Sequence, residues 1–277
     1  MMSNKDFDPY NFAKVSYDLG FEGLEYLAIM YKGGFYNSDN KFGLKEAKKM
    51  AQESKMRSDD LGLKNLLIMV DGEGNLANKD KNFNSMSVSN HKKWIDCASE
   101  MGCHSIRVNL DSDGTLDDWT NNSIESLNKL CEYAKPLNVN VIVENHGGYS
   151  SNAKWLVNVI QNTKRTNIGT LPDFGNFCIR STPKDLSDWG ATTSGCAEEY
   201  DRYLGVEELL PYAMSVSAKS NDFDSEGNCI ETDFSKMVNI IKKSDYRGYV
   251  SIEYEGSNYS EEEGIRLTKT LLEREAI

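Results

Sequence analysis

In the stretch VNVIVENHGG (residues 139–148), a run of strand-forming residues ends in Glu144, Asn145 and His146 before two glycines stop it. Two further apolar runs end in acids: Asp173 closes IGTLPDF and Glu253 lies near the end of YVSIEYE. Carboxylates and an imidazole at strand ends can move protons or hold a cation. Three acids gathered at one point are unfavourable by themselves, because like charges within a few ångströms raise each other's pKa. A divalent cation turns the same three into a hard-oxygen site suited to Mn, Mg or Co. The competing reading leaves three acids on separate loops in solvent. What separates the two is whether the strands end in the same place.

Seven apolar runs read as strands: GLEYLAI (23–29), NLLIMVD (65–71), SIRVNL (105–110), NVIVENH (140–146), IGTLPDF (168–174), MSVSAKS (214–220) and YVSIEYE (249–255). Amphipathic stretches such as LKEAKKMAQESKM, SIESLNKLCEYA and FSKMVNIIKKS lie between them. Most of these units recur at about 30 to 45 residues, the size of a βα crossover, which predicts parallel strands. No strand is followed by GxGxxG or a P-loop, so a nucleotide-binding open sheet has no support. Alternation within the strands favours a closed barrel. Val250, Ile252 and Tyr254 fall on one face and Ser251, Glu253 and Glu255 on the other; Ile106, Val108 and Leu110 likewise oppose Arg107 and Asn109. An apolar face toward helices and a polar face toward the axis fit a barrel whose site lies at the C-terminal strand ends. The expected fold is α/β, a (β/α)8 TIM barrel formed by a single domain over residues 1–277. The sequence opens on a helical pattern, DPYNFAKVSYDLG, where a barrel opens on a strand. The first strand is therefore expected to be missing, with unpaired edges beside the gap.

Composition narrows the partners. A net charge of −12 argues against nucleic acid, since phosphate affinity needs clustered Lys and Arg. No apolar run reaches the ~18 residues of a membrane span. The start, MMSNKDFDPYNF, lacks the apolar core of a signal peptide, and a cytoplasmic protein is expected. Cys97, Cys103, Cys131, Cys178, Cys196 and Cys229 show no CxxC spacing and read as reduced thiols. With only His91, His104 and His146 present, a site of several imidazole ligands is nearly excluded.

VIVENHGG, LPDFGNF, SVSAKS and YVSIEYEG, in this order and at strand ends, resemble the xylose isomerase-like TIM-barrel superfamily and within it the sugar phosphate isomerase/epimerase group. The resemblance covers nearly the whole chain from Phe12. It implies one divalent metal held by Glu, Asp, His and Glu from four strands, the two glutamates also moving the proton. Carried onto this sequence, Glu144 and Glu253 are ligands and the acid/base pair, and Asp173 is a third ligand. One position departs: the family's H-x-K-D segment stands here as SVSAKS, with Ser217 in place of the imidazole, and a hydroxyl is a weak ligand. His146, on the same face as Glu144, either substitutes for it or binds a substrate hydroxyl. Asn176 stands where epimerases often carry a substrate-contacting histidine. Lys219 and Arg107 read inward, where they neutralise charge on a substrate or pair with surplus carboxylates, and Glu255 completes the substrate-binding set.

Epimerising or isomerising a sugar removes a proton beside a carbonyl and returns it elsewhere, which two carboxylates on opposite faces of the substrate can do. A metal stabilises the enediolate as a Lewis acid. The expected activity is that of a sugar isomerase or epimerase on a small carbohydrate or keto-sugar. A lyase eliminating a group from a 3-keto glycoside would use the same carboxylates. A non-catalytic barrel that binds a sugar or a protein is the reading favoured by Ser217 and the missing strand. The superfamily's DNA-repair endonucleases fit poorly, because they need a histidine-rich multi-zinc site and a basic groove. The long segment 175–211, with Trp189 and Tyr200, reads as a loop that overhangs the site or meets a second copy in a homo-oligomer. DFDSEGNCIETD (222–233) resembles a calcium loop, but bulky Glu226 at its fifth position and Cys229 where an aliphatic belongs make it a turn.

Overall fold

The computed structural model describes residues 7–32, 42–182 and 195–276. In chain order the elements are α1 (Phe12–Asp18), β1 (Gly23–Leu27), α2 (Ala28–Tyr31), α3 (Leu44–Asp60), β2 (Lys64–Met69), α4 (Lys81–Met101), β3 (Ser105–Val108), α5 (Leu116–Ala134), β4 (Asn140–Glu144), α6 (Ala153–Thr163), β5 (Ile168–Leu171), β6 (Cys178–Ser181), β7 (Cys196–Glu199), α7 (Arg202–Leu209), β8 (Val216–Ser220), α8 (Phe234–Lys243), β9 (Val250–Tyr254) and α9 (Glu261–Ala276). β1 to β5 form one sheet in chain order, with parallel pairing from β1 through β4. β8 and β9 form a separate parallel pair. These are the strands expected from the apolar runs. Among the described residues α1 precedes β1, and neither β1 nor β9 pairs with a further strand, so both are sheet edges. No described helix is long and apolar enough to cross a membrane.

Local chemistry explains where the helices begin and end. Asp80 accepts from the amides of Asn82 and Phe83 at the start of α4, and Asp201 and Asp233 do the same for α7 and α8. α4 stops at Gly102, in the left-handed region at φ 76°, and Asn138 takes φ 55° just before β4.

By its contacts the chain divides into two compact units, one made of Met1–Asn109, Asn121–Val143 and Thr163–Gly169, the other of Leu110–Thr120, Glu144–Asn162 and Thr170–Ile277. The first buries Leu67, Ile68, Trp94, Ile95, Ile106 and Val108. It also buries Glu73, which is offset by Lys32 and Lys93 and accepts from the Trp94 indole. Arg107 belongs to this unit. Its guanidinium donates to both oxygens of Asp71, at 2.8 and 3.3 Å.

The second unit packs Phe174, Phe177, Val206, Val216, Ala218, Phe234 and Met237 into one core. Phe177 reaches that core only because residue 205 of α7 is glycine: a Cβ there would lie 2.2 Å from the Phe177 ring. The segment after β5 contains an antiparallel hairpin, β6 with β7, that the apolar patterning did not show. The pairing brings the Cα atoms of Cys178 and Cys196 to 5.7 Å, and the two are joined by a disulfide. This corrects the expectation of six reduced thiols, because spacing in sequence carries no information about which cysteines the fold brings within bonding distance. The remaining four are buried, and burial pushes their thiols above the usual range. Tyr200 packs against the core and its hydroxyl donates to Glu208 at 2.7 Å. Trp189 lies outside the described residues.

Two outcomes are expected. Peptide mapping without reductant should recover the Cys178 and Cys196 peptides joined, with the other four cysteines alkylated only after denaturation; free thiol at both hairpin cysteines would refute the bond. Gly205→Ala should lose about 1–3 kcal/mol in urea unfolding, the usual cost of overpacking a filled core, and an unchanged midpoint would show that the Phe177 ring can move aside.

Candidate active site

Glu144, the last residue of β4, is 1% exposed and opens the second unit. Asp173, two residues beyond β5, is fully buried and forms a parallel bridge with Ser217 in β8. Glu253 lies in β9, in register with Lys219 of β8, and its side chain stays partly exposed. Carboxylate oxygens of these three acids lie within 4.8 Å of one another. The strand ends do meet, and the reading of three acids in separate loops fails.

Each acid is held by donors of a particular kind. Asp173 Oδ1 accepts from the amides of Gly175 (2.8 Å) and Asn176 (2.9 Å), while its buried Oδ2 has no hydrogen-bond partner among the described residues. The Asn176 side chain donates to Glu144 Oε1 at 2.8 Å and accepts from Lys219 Nζ at 3.2 Å. Ser217 Oγ donates to Glu253 Oε2 at 3.2 Å. Lys219 Nζ lies 2.7 Å from Glu255 and 3.9 Å from Glu253. Burial pushes the Asp173 carboxyl up to about 7; Lys219 opposes the rise, and Glu253 and Glu144 add to it. Burial acts to lower the Lys219 ammonium's pKa, but Asp173, Glu253 and Glu255 outweigh it and raise it above its ordinary value.

Sequence reasoning therefore placed Glu144, Asp173, Glu253, Ser217, Asn176, Lys219 and Glu255 in one neighbourhood, although the hydroxyl of Ser217 is turned to a carboxylate. His146 does not join the acid cluster; it is exposed, with its backbone amide donating to Ser150 Oγ. Arg107 pairs with Asp71 in the other unit. Residues 222–233 form a turn in which Asp224 accepts from the amides of Glu226 and Asn228. The residue overlooked is Asn145. Fully buried, it accepts from the Asp173 amide at 2.8 Å and donates to the carbonyls of Asp173 and Asn176 at 3.1 and 3.2 Å. A buried asparagine between an acid and a histidine in a strand-ending motif was the available signal.

The residues fit a divalent cation. All three groups are hard oxygen donors, one buried oxygen (Asp173 Oδ2) has no hydrogen bond to lose, and the cluster carries more negative charge than Lys219 offsets.

A family model described as xylose isomerase-like TIM barrel matches residues 13–274. No curated protein matches significantly by sequence. Among solved structures, the chain is similar to a 3-keto-D-glucoside 4-epimerase from E. coli, at 15% identity, TM-score 0.71, and coverage of 98% of this chain and 97% of the other. An L-ribulose 3-epimerase superposes at 16% identity and TM-score 0.68, covering 95% and 86% of the two chains. A family 2 AP endonuclease from Brucella melitensis does so at 16% identity and TM-score 0.64, covering 95% and 93%. These likenesses show the fold, α/β of the TIM-barrel class.

The raised Asp173 carboxyl has a measurable consequence in metal-free protein. The unfolded chain releases this proton near 3.8 and the folded one near 7, so its contribution to stability should fall as pH rises between those values. In EDTA, the unfolding free energy of wild type minus that of Asp173→Asn should decline from pH 4 to pH 7. A difference that stays flat across that window would show Asp173 to be ionised throughout.

Proposed function

We propose that this chain, which belongs to the xylose isomerase-like TIM-barrel family, is a sugar isomerase or epimerase that moves a proton at the carbon beside a carbonyl of a small carbohydrate. The observation that carries the reading is the convergence of Glu144, Asp173 and Glu253. Its epimerase neighbours share the fold and support a small carbohydrate as the substrate class.

Glu144 and Glu253 are the acid/base pair. Each is oriented by a neutral donor, Asn176 for Glu144 and Ser217 for Glu253, so that one oxygen of each carboxylate is fixed by that bond. One takes the proton from carbon, the other delivers a proton to the product, and the reverse reaction exchanges their parts. A divalent ion (Mn, Mg or Co) held by Glu144, Asp173 and Glu253 would supply Lewis-acid stabilisation of the charge that develops on the substrate oxygen. Asp173, buried and held by two amides, is a ligand rather than a base because its position leaves it no route to solvent. His146, exposed beside the loop after β4, contacts a substrate hydroxyl in this reading, and Glu255 completes the substrate side. The Cys178–Cys196 disulfide favours an oxidising compartment over the reducing one expected from cysteine spacing.

Calorimetric titration of EDTA-stripped protein with Mn²⁺ should give a one-to-one site, weakened about tenfold or more, about 1.4 kcal/mol, in Glu253→Gln. Incubation of the loaded wild type with ketoses in D₂O should place deuterium on the carbon beside the carbonyl, and Glu144→Gln should abolish that exchange. Absence of binding at millimolar Mn²⁺ would refute the metal-assisted reading.

A further inference from the structure

Lys219 is a fixed positive charge inside a site whose acids call for a cation. Its side chain is only 7% exposed, with the ammonium 2.7 Å from Glu255, 3.9 Å from Glu253 and 3.2 Å from the Asn176 amide oxygen. The lysine stem passes over Gly175, where a Cβ would lie 3.0 Å from Lys219 Cδ, so the local backbone leaves little room for a larger residue beside it. The neighbouring strand position on the same face is Ser217, whose hydroxyl donates to Glu253 rather than offering a neutral lone pair to a metal. The site thus combines three candidate ligand carboxylates, a hydroxyl already committed to one of them, and an ammonium competing for the same negative charge.

We infer that Lys219 acts as a built-in counter-cation that antagonises the divalent ion, setting the site to hold metal weakly and exchangeably. The inference rests on reading Glu144, Asp173 and Glu253 as the cation site. The physics is direct. A unit charge repels a divalent ion a few ångströms away, and burial leaves little water to screen the repulsion. The Glu255 carboxylate, more exposed than the ammonium it pairs with, compensates Lys219 only in part. When the divalent ion leaves, the ammonium remains to offset Asp173 and Glu253, so the empty cluster does not have to hold its charge uncompensated.

The test is Mn²⁺ titration of EDTA-stripped wild type, Lys219→Met, Lys219→Gln and Lys219→Arg, with circular dichroism to confirm folding. Lys219→Met should bind Mn²⁺ at least tenfold more tightly than wild type, Lys219→Gln should follow it in direction, and Lys219→Arg should stay within about threefold of wild type. Should the methionine variant fail to fold, the glutamine variant, which keeps a hydrogen-bonding group toward Asn176, decides the outcome. Wild-type binding that is unchanged or weakened in the neutral variants overturns the inference and leaves the cation site standing. Tight binding in the neutral variants with none detectable in wild type upholds the inference and the cation site while overturning the metal-assisted reaction in the native chain. No binding in any of the four overturns both the inference and the cation site.

Discussion

Bringing three carboxylates within 4.8 Å of one another, two of them buried, is the constraint around which the second unit is organised. Burial raises the Asp173 carboxyl above its ordinary value, and Glu253 and Glu144 add to the rise. Two kinds of compensation are present, and they act on different acids. Glu144 and Asp173, the buried pair, take hydrogen bonds from the Asn176 side chain and from the two amides of the turn after Asp173. Glu253, partly exposed, takes the Ser217 hydroxyl and lies near the Lys219 ammonium. Hydrogen bonds fix where the oxygens point; they do not cancel the net charge. The surplus is what makes the cluster a place for a cation.

That arrangement depends on backbone the strands do not supply. β5 ends at Leu171, and Asp173 reaches the cluster through a bridge to Ser217 and through Asn145, whose amide satisfies one backbone donor and two backbone acceptors of the 173–176 turn. The turn then passes directly into Phe177, which anchors it in the apolar core beneath Gly205. One residue further on, Cys178 is tied to Cys196. Asn176 is thereby held between a buried amide network on one side and a packed ring on the other. Its side chain is positioned to bridge Glu144 and Lys219 because both flanks are fixed.

Much of this was legible in sequence because period-two alternation and strand-ending acids are local signals. The apolar runs located β1 to β5, β8 and β9, and the acids Glu144, Asp173 and Glu253 were read off their ends. What was misjudged has a common cause in contacts between segments distant in sequence. The apolar runs overran β4 and β5 by two or three residues, because strand pairing stops where side chains begin to bond across to other segments. The β6–β7 hairpin carries little apolar patterning, its residues being half-buried or exposed, and its disulfide joins cysteines that no spacing rule connects. Arg107 read as inward from alternation, and that much is consistent with its burial, but alternation cannot name Asp71 as its partner. Asn145 was passed over because a buried amide announces itself only through what it bonds.

Ser217 shows how one replacement redistributes these tasks. An imidazole that binds metal offers a lone pair to the cation and leaves the neighbouring carboxylates to the metal alone. A serine hydroxyl in that position faces the other way, donating its proton to Glu253. Glu253 is then oriented by the protein itself, whether or not a cation is bound. Lys219, two residues on along the same face of β8, supplies a positive charge that likewise does not depend on metal. The orientation of the acids thus comes from hydrogen bonds within the chain, and the standing offset to their charge comes from Lys219. A divalent ion held by Glu144, Asp173 and Glu253 would supply the part that neither can perform, Lewis-acid stabilisation of charge developing on a substrate oxygen.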